Sequence, residues 1–247
     1  MILWKSFGAS VVGPGHIATG KPNQDACGSF HHVWGDGIAI SDGLGSKLFS
    51  NFGSDAACSA VACAANACRE MAEINYGFLS NRIKTNWLSQ IAPLEPRDCA
   101  ATCLFALRLG DGAIRVGMLG DGLAAVLKVD GSVSSLSEDK SQSFSNITAA
   151  LSPNVAATDW RHLSLPEEEC DAILLCTDGV ADDLDNVDGF VKGFIEAHRA
   201  LATMSANRHI REMLESWPTP KHSDDKTIAC LFREEVADGN IQENPIT

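Results

Sequence analysis

Short apolar runs alternate with polar punctuation along most of the chain, and two pairs of longer stretches carry helical spacing. Residues 2–12 are mostly apolar and predict a first strand. The segment Gly13 to Ala26 holds three glycines and two prolines and predicts a loop. Residues 30–41 predict a strand that stops at Asp42-Gly43, with a tight turn between it and the segment of Asp25, so that the two aspartates meet at one end of the sheet. Ala57, Val61, Ala64, Ala65, Cys68 and Met71 recur at helical intervals over 51–75, and Phe78, Ile83, Trp87, Leu88 and Ile91 do so over 77–91. Strands follow at 99–109, 113–119 and 123–129, with turn signals at Gly110-Asp111-Gly112 and Asp130-Gly131, where the aspartates only make turns. Residues 137–169 are rich in Ser, Asn, Thr, Pro and Glu without periodicity, which predicts a surface flap or docking segment rather than core. A strand at 172–176, helices at 187–203 and 207–216 closed by Trp217-Pro218, and a strand at 228–232 complete the pattern. The expectation is one domain over 1–235 with a polar tail at 236–247.

Composition narrows the partners. The formal net charge of −13 argues against nucleic acid and anionic membranes. No apolar run reaches spanning length and the first residues lack a secretory h-region, so a cytoplasmic protein is expected. Nine cysteines include no Cys-x-x-Cys pair, which argues against structural zinc.

The chemistry lies in the aspartates. Asp25, Asp42, Asp121, Asp178 and Asp224 all abut apolar runs, and Gly follows Asp42, Asp121 and Asp178. Carboxylates gathered at one end of a sheet repel unless cations neutralise them. An all-oxygen set selects Mg²⁺ or Mn²⁺ over Zn²⁺.

The ordered series Asn23-Gln24-Asp25, Asp42-Gly43-Leu44-Gly45, Gly120-Asp121-Gly122, Thr177-Asp178-Gly179-x-x-Asp182 and Asp224-Asp225-Lys226-Thr227 resembles the PP2C (PPM) family of metal-dependent serine/threonine protein phosphatases. The resemblance spans about 8–233. Gly13-x-x-His16 and Pro22-x-Gln24-Asp25 resemble its bacterial branch, which often accompanies a kinase. The resemblance implies an α+β fold, a central sandwich of two antiparallel sheets with a helix pair on each outer face. It implies Asp42 as the carboxylate bridging two ions, Gly43 as a carbonyl ligand, Asp178 and Asp224 as further ligands, and Asp121 and Asp182 at a third ion. Asp25 would orient a water that attacks phosphorus directly, without a phosphoenzyme. Asp225 stands where the family has Asn, and would support the ligands or cap the turn before the last strand.

The chain departs from the family at its phosphate-gripping Arg. Gly20 stands in that place, and Gln24 replaces the acid four residues later. His16 and Lys21 in the same loop are the candidates to bind or protonate the substrate, with Arg97 next. The expected substrate is a phosphorylated protein, a Ser/Thr kinase or its target, and the expected state is a monomer. A different binuclear phosphoesterase, a regulatory phosphatase acting on anti-anti-sigma factors, and a non-catalytic phosphoprotein-binding module are the alternatives.

Overall fold

A computed structural model describes residues 2–71, 73–137, 148–218 and 223–235. Strand β1 (Ile2–Val11) leads into a short helix α1 (Pro14–Thr19) where the glycines and prolines predicted only a loop. Pro14 sits at the first helical position and Gly20 caps the end at φ 68°, so the residues that punctuate the chain here bound a helix. The expected turn between the Asp25 segment and the strand ending at Asp42 falls later, at 33–34, inside the stretch expected as strand, and joins β2 (Asp25–His32) to β3 (Gly35–Asp42) as a hairpin. Helices α2 (Ser50–Cys68) and α3 (Tyr76–Ile91) follow, and α2 ends earlier than its alanine spacing suggests. Asn75 caps α3 by accepting from the Phe78 N–H. Then come β4 (Cys103–Arg108), β5 (Ala113–Leu119), β6 (Leu123–Lys128), β7 (Val133–Ser137), β8 (Arg161–Pro166) and β9 (Cys170–Cys176). Helices α4 (Asp178–Ala181), α5 (Val187–Arg199) and α6 (Thr203–Glu215) precede β10 (Lys226–Glu235).

The strands form two five-stranded antiparallel sheets, β1-β10-β9-β6-β7 and β2-β3-β4-β5-β8. Alternation along β1 sends Phe7, Ala9 and Val11 to a core shared with α5 and α6, while Trp4 joins the core between the sheets. The face of the second sheet away from the sandwich is covered by α2 and α3 through Ala57, Val61, Leu79, Ile83 and Trp87. Helix α2 lies so close to the chain at Cys99 that a Cβ on Gly53 would fall 1.7 Å from a carbonyl oxygen. This is the α+β sandwich with outer helices that the motif series implies.

The stretch 137–169 is corrected in part. Residues 138–147 lie outside the described residues. Beyond them, Leu151, Val155 and Trp160 are buried in the core under α2 and α3, and β8 forms the edge of the second sheet. Isolated apolar residues with irregular spacing anchor this segment, so no period betrays it. Asp111 and Asp130 do make turns: Asp111 accepts from the Ala113 N–H, is gripped by Arg115 through two nitrogens, and sits below the usual carboxylate range because of that grip.

On the buried face of α5, His198 is 2% exposed, and its Nδ1 donates to the Phe194 carbonyl at 2.7 Å. Burial lowers its pKa from the ordinary 6.5, and His209, 4.9 Å away ring to ring, adds to that. The unfolded chain therefore takes up a proton that the fold resists. This residue's contribution is whole above the unfolded value and is lost as the pH falls below about 6.5. His198→Leu is expected to flatten the loss of melting temperature between pH 7 and pH 5.

Candidate metal centre

Antiparallel register sets the site. β2 and β3 pair so that Asp25 lies directly opposite Asp42, at the end of the hairpin away from its turn. Two carboxylates in cross-strand positions repel, and the fold supplies counterweights. The Asp25 Oδ2 accepts from the hydroxyls of Thr177 at 2.8 Å and Thr227 at 2.7 Å. Thr227 in turn contacts the Ser10 hydroxyl. The N–H of Asp42 donates to Thr102 Oγ1, and the Asp42 carbonyl accepts from the Thr102 N–H, both at 2.8 Å. Those threonines were not singled out from sequence. The signal was their position, Thr177 directly before Asp178 and Thr227 two residues after Asp225.

Asp121, in the turn between β5 and β6, and Asp178, at the start of α4, complete the cluster. Carboxylate oxygens of Asp42, Asp121 and Asp178 lie within 4.8 Å of one another. Gly120 and Gly122 adopt φ of 96° and 109°, which a side chain would strain, so the glycines beside Asp121 allow the turn that aims it inward. Thr148 Oγ1 donates to Asp121 at 3.3 Å. Asp182 sits one turn on, at the C-cap of α4, its N–H on the Asp178 carbonyl. Asp182 thus ends α4, and the N-cap of α5 is Asn186, whose side chain accepts from the Gly189 N–H.

Gly43 lies where a Cβ would meet the Ser50 and Gln24 carbonyl oxygens at 2.6 and 2.8 Å, so only a glycine lets the backbone pass here. Gln24 is buried, and its Oε1 has no hydrogen-bond partner among the described residues.

Asp224 and Asp225 turn to a second grouping with His16. Asp225, 1% exposed, accepts from three groups: the Gly13 N–H at 2.7 Å, the Gln24 N–H at 2.6 Å and His16 Nδ1 at 2.8 Å. A carboxylate only accepts, so the His16 proton lies on Nδ1 and Nε2 keeps its lone pair. That Nε2 stands 3.9 Å from Asp224 Oδ1. Lys226 is buried with its Nζ on the Asp224 carbonyl at 2.9 Å. Lys21 is exposed and reaches the Gly45 carbonyl at 3.4 Å, and Arg97 is exposed in the turn before Cys99.

The crowding registers in the acid equilibria. Burial above all pushes Asp25 up to about 7, with Asp225 adding to it and the threonine hydroxyls opposing. Burial, then the charges of Asp25, Asp178 and Asp224, hold Asp42 well above the usual range. Such a cluster favours a neutralising cation, and its donors are all oxygens, the set that suits Mg²⁺ or Mn²⁺.

The comparisons agree. The profile described as Protein phosphatase 2C matches residues 12–215. No curated protein matches the chain by sequence. Among solved structures, the catalytic domain of the serine threonine protein phosphatase PstP, in complex with two manganese ions, aligns at TM-score 0.59 and 16% identity over 95% of this chain and 100% of that one. RsbX in complex with magnesium aligns at 0.60 and 14%, again over 95% and 100%. A bacterial serine phosphatase aligns at 0.64 and 17% over the same shares. With the profile spanning most of the sequence and the two-sheet sandwich matching these structures, the chain belongs to the protein phosphatase 2C family.

Proposed function

We propose that the chain is a Mn²⁺- or Mg²⁺-dependent phosphatase acting on phosphoserine or phosphothreonine in proteins, opposing a bacterial Ser/Thr kinase. The gathering of Asp42, Asp121 and Asp178 beside Asp25 carries this reading. In it, Asp42, Asp178, Asp224 and the Gly43 carbonyl would hold two ions, and Asp121 with Asp182 would hold a third. Bound divalent ions supply charge for the phosphoryl oxygens and an acidified water.

The chain's own residues do the rest. Asp25, locked by two threonine hydroxyls, accepts a hydrogen bond from the attacking water and sets its line toward phosphorus. Asp225 holds the His16 ring, so Nε2 is presented at a fixed place to the leaving oxygen; in the imidazolium form it donates the proton that oxygen needs. Lys21, at the mouth beside Gly45, takes up phosphate charge as a point cation. No thiol is required: burial pushes Cys103, Cys176 and Cys230 far up and Cys170 up to about 12, which makes them poor nucleophiles.

Purified protein with Mn²⁺ is expected to release phosphate from a phosphothreonine peptide, and a chelator is expected to stop it. No release with either Mn²⁺ or Mg²⁺ would refute the reading. His16→Ala should lower kcat, most for substrates with poor leaving groups, whereas Lys21→Ala should raise KM.

A further inference from the structure

A second constellation lies at the other end of the β2–β3 hairpin. His31 is six residues beyond Asp25 on β2, about 20 Å along the strand. Its side chain shares the inward parity of Asp25 and faces β1 across the open edge of the sandwich. There the Ser6 hydroxyl lies 2.8 Å from His31 Nε2, and His31 Nδ1 lies 2.8 Å from Asp36 Oδ1. The three residues come from β1, β2 and β3 and are joined by the fold alone.

The hydrogens in this chain follow from its far end. Asp36 also receives Arg108 Nη1 on its other oxygen at 3.2 Å. Arg108 Nε holds Glu167 at 2.8 Å, and Glu167 accepts from Trp4 Nε1 at 3.0 Å. A carboxylate held by a guanidinium only accepts, so the His31 proton is on Nδ1. Nε2 is then the acceptor and the Ser6 hydroxyl the donor. That is the order needed for a base to take the serine proton, with Asp36 orienting the base.

A cavity of about 520 Å³ opens onto this serine, within the range of small-molecule sites. Ser6 and His31 line it together with Trp4, Ile38, Ser29 and Asn207. Ser6 itself is 8% exposed, while the His31 side chain is 40% exposed and stands at the mouth. A donor for a developing oxyanion is also present. The Gly8 N–H leaves the β1–β10 ladder to reach Asn207 Oδ1 at 2.9 Å. Ser6 is two residues away on the same strand, so its own N–H points off that free edge too. An N–H on the nucleophile is suited to charge forming on a carbonyl oxygen.

We propose that Ser6, His31 and Asp36 form a second, metal-independent nucleophilic site that accepts small carboxylic esters. Ser6 Oγ adds to the ester carbonyl carbon as its proton passes to His31 Nε2. The bond to the alcohol oxygen breaks, and the alcohol leaves with that proton, leaving an acyl-serine. Water then attacks the acyl carbon, giving its proton to His31. The serine oxygen leaves and takes the proton back, and the free acid departs.

The test uses the whole chain, with chelator present, and a fluorophosphonate probe that bonds to activated serines. Intact mass and peptide mapping are expected to show one adduct, on Ser6, and Ser6→Ala is expected to lose it. His31→Gln keeps a hydrogen-bonding group against Ser6 but removes the base. It is expected to label at least about 100-fold more slowly while melting at the wild-type temperature. A bracing role alone would shift the melting temperature and leave no labelling to lose. Absence of a Ser6 adduct in the folded wild type overturns the proposal, as does a folded His31→Gln that labels at the wild-type rate.

Discussion

Asp42→Asn is expected to cut phosphate release from a phosphothreonine peptide by about three orders of magnitude or more, about 4 kcal/mol of barrier. The same change should raise the melting temperature of the chelated protein. Both results have one cause. Asp42 sits opposite Asp25, and the charges of Asp178 and Asp224 also bear on it. Without cations that crowding only destabilises, so an uncharged side chain of the same shape relieves it. With cations the same carboxylate would be a ligand on which the proposed chemistry depends. Stability measured in chelator and turnover measured in Mn²⁺ would therefore move in opposite directions, as expected where a site is held at the expense of the fold. Activity within tenfold of wild type would remove Asp42 from the centre.

Asp225→Ala is expected to cost about 3–5 kcal/mol of stability, because it leaves two buried N–H groups and the His16 ring without their acceptor. For a chain of this size that is a fall of about 10 °C in melting temperature, readable by calorimetry. Asp225→Asn is the sharper comparison. Both carboxylate oxygens accept hydrogen bonds from N–H groups, and an amide offers only one oxygen. One donor would face an NH₂ group instead, and an intermediate loss of stability is expected. An unchanged melting temperature in both variants would show that the three segments are held together by other contacts.

How far the sequence could be read depended on how local each signal was. An apolar run stopping at Asp-Gly is a local pattern, and it marked Asp42 and Asp178 at their strand ends. The layering of the fold was legible for the same reason, since helical and strand spacing appear within single segments. Helix α1 was missed because glycine and proline were taken as breakers, although Pro14 at the first position and Gly20 past the end are also the marks of a short helix. The pairing of the Asp25 segment with the strand ending at Asp42 was legible, but its turn was placed too early because Val33-Trp34 carries no turn residue. Leu151, Val155 and Trp160 looked like isolated surface apolar residues, and only the tertiary fold turns them to one core. The partition of the acids was the least legible part. Nothing in the spacing tells that Asp225 faces three donors while its neighbour Asp224 faces His16. Likewise no pattern joins Ser6 to His31 and Asp36.

The strand order has a consequence for synthesis. Among the described strands β10 comes latest in sequence, yet in its sheet it lies between β1 and β9. Until it leaves the ribosome, β1 has no partner in that sheet, and β9 carries an open edge. The second sheet, β2-β3-β4-β5-β8, has no such debt and can assemble while the rest is being translated. A nascent chain paused before β10 thus exposes apolar strand edges of the kind that draw in other chains. Asp224 and Asp225 precede β10 by two residues and one, so the stretch that covers these open edges also brings the latest acids of the candidate site. A stalled or truncated product would be sticky and inert together, with no partly active form for quality control to spare.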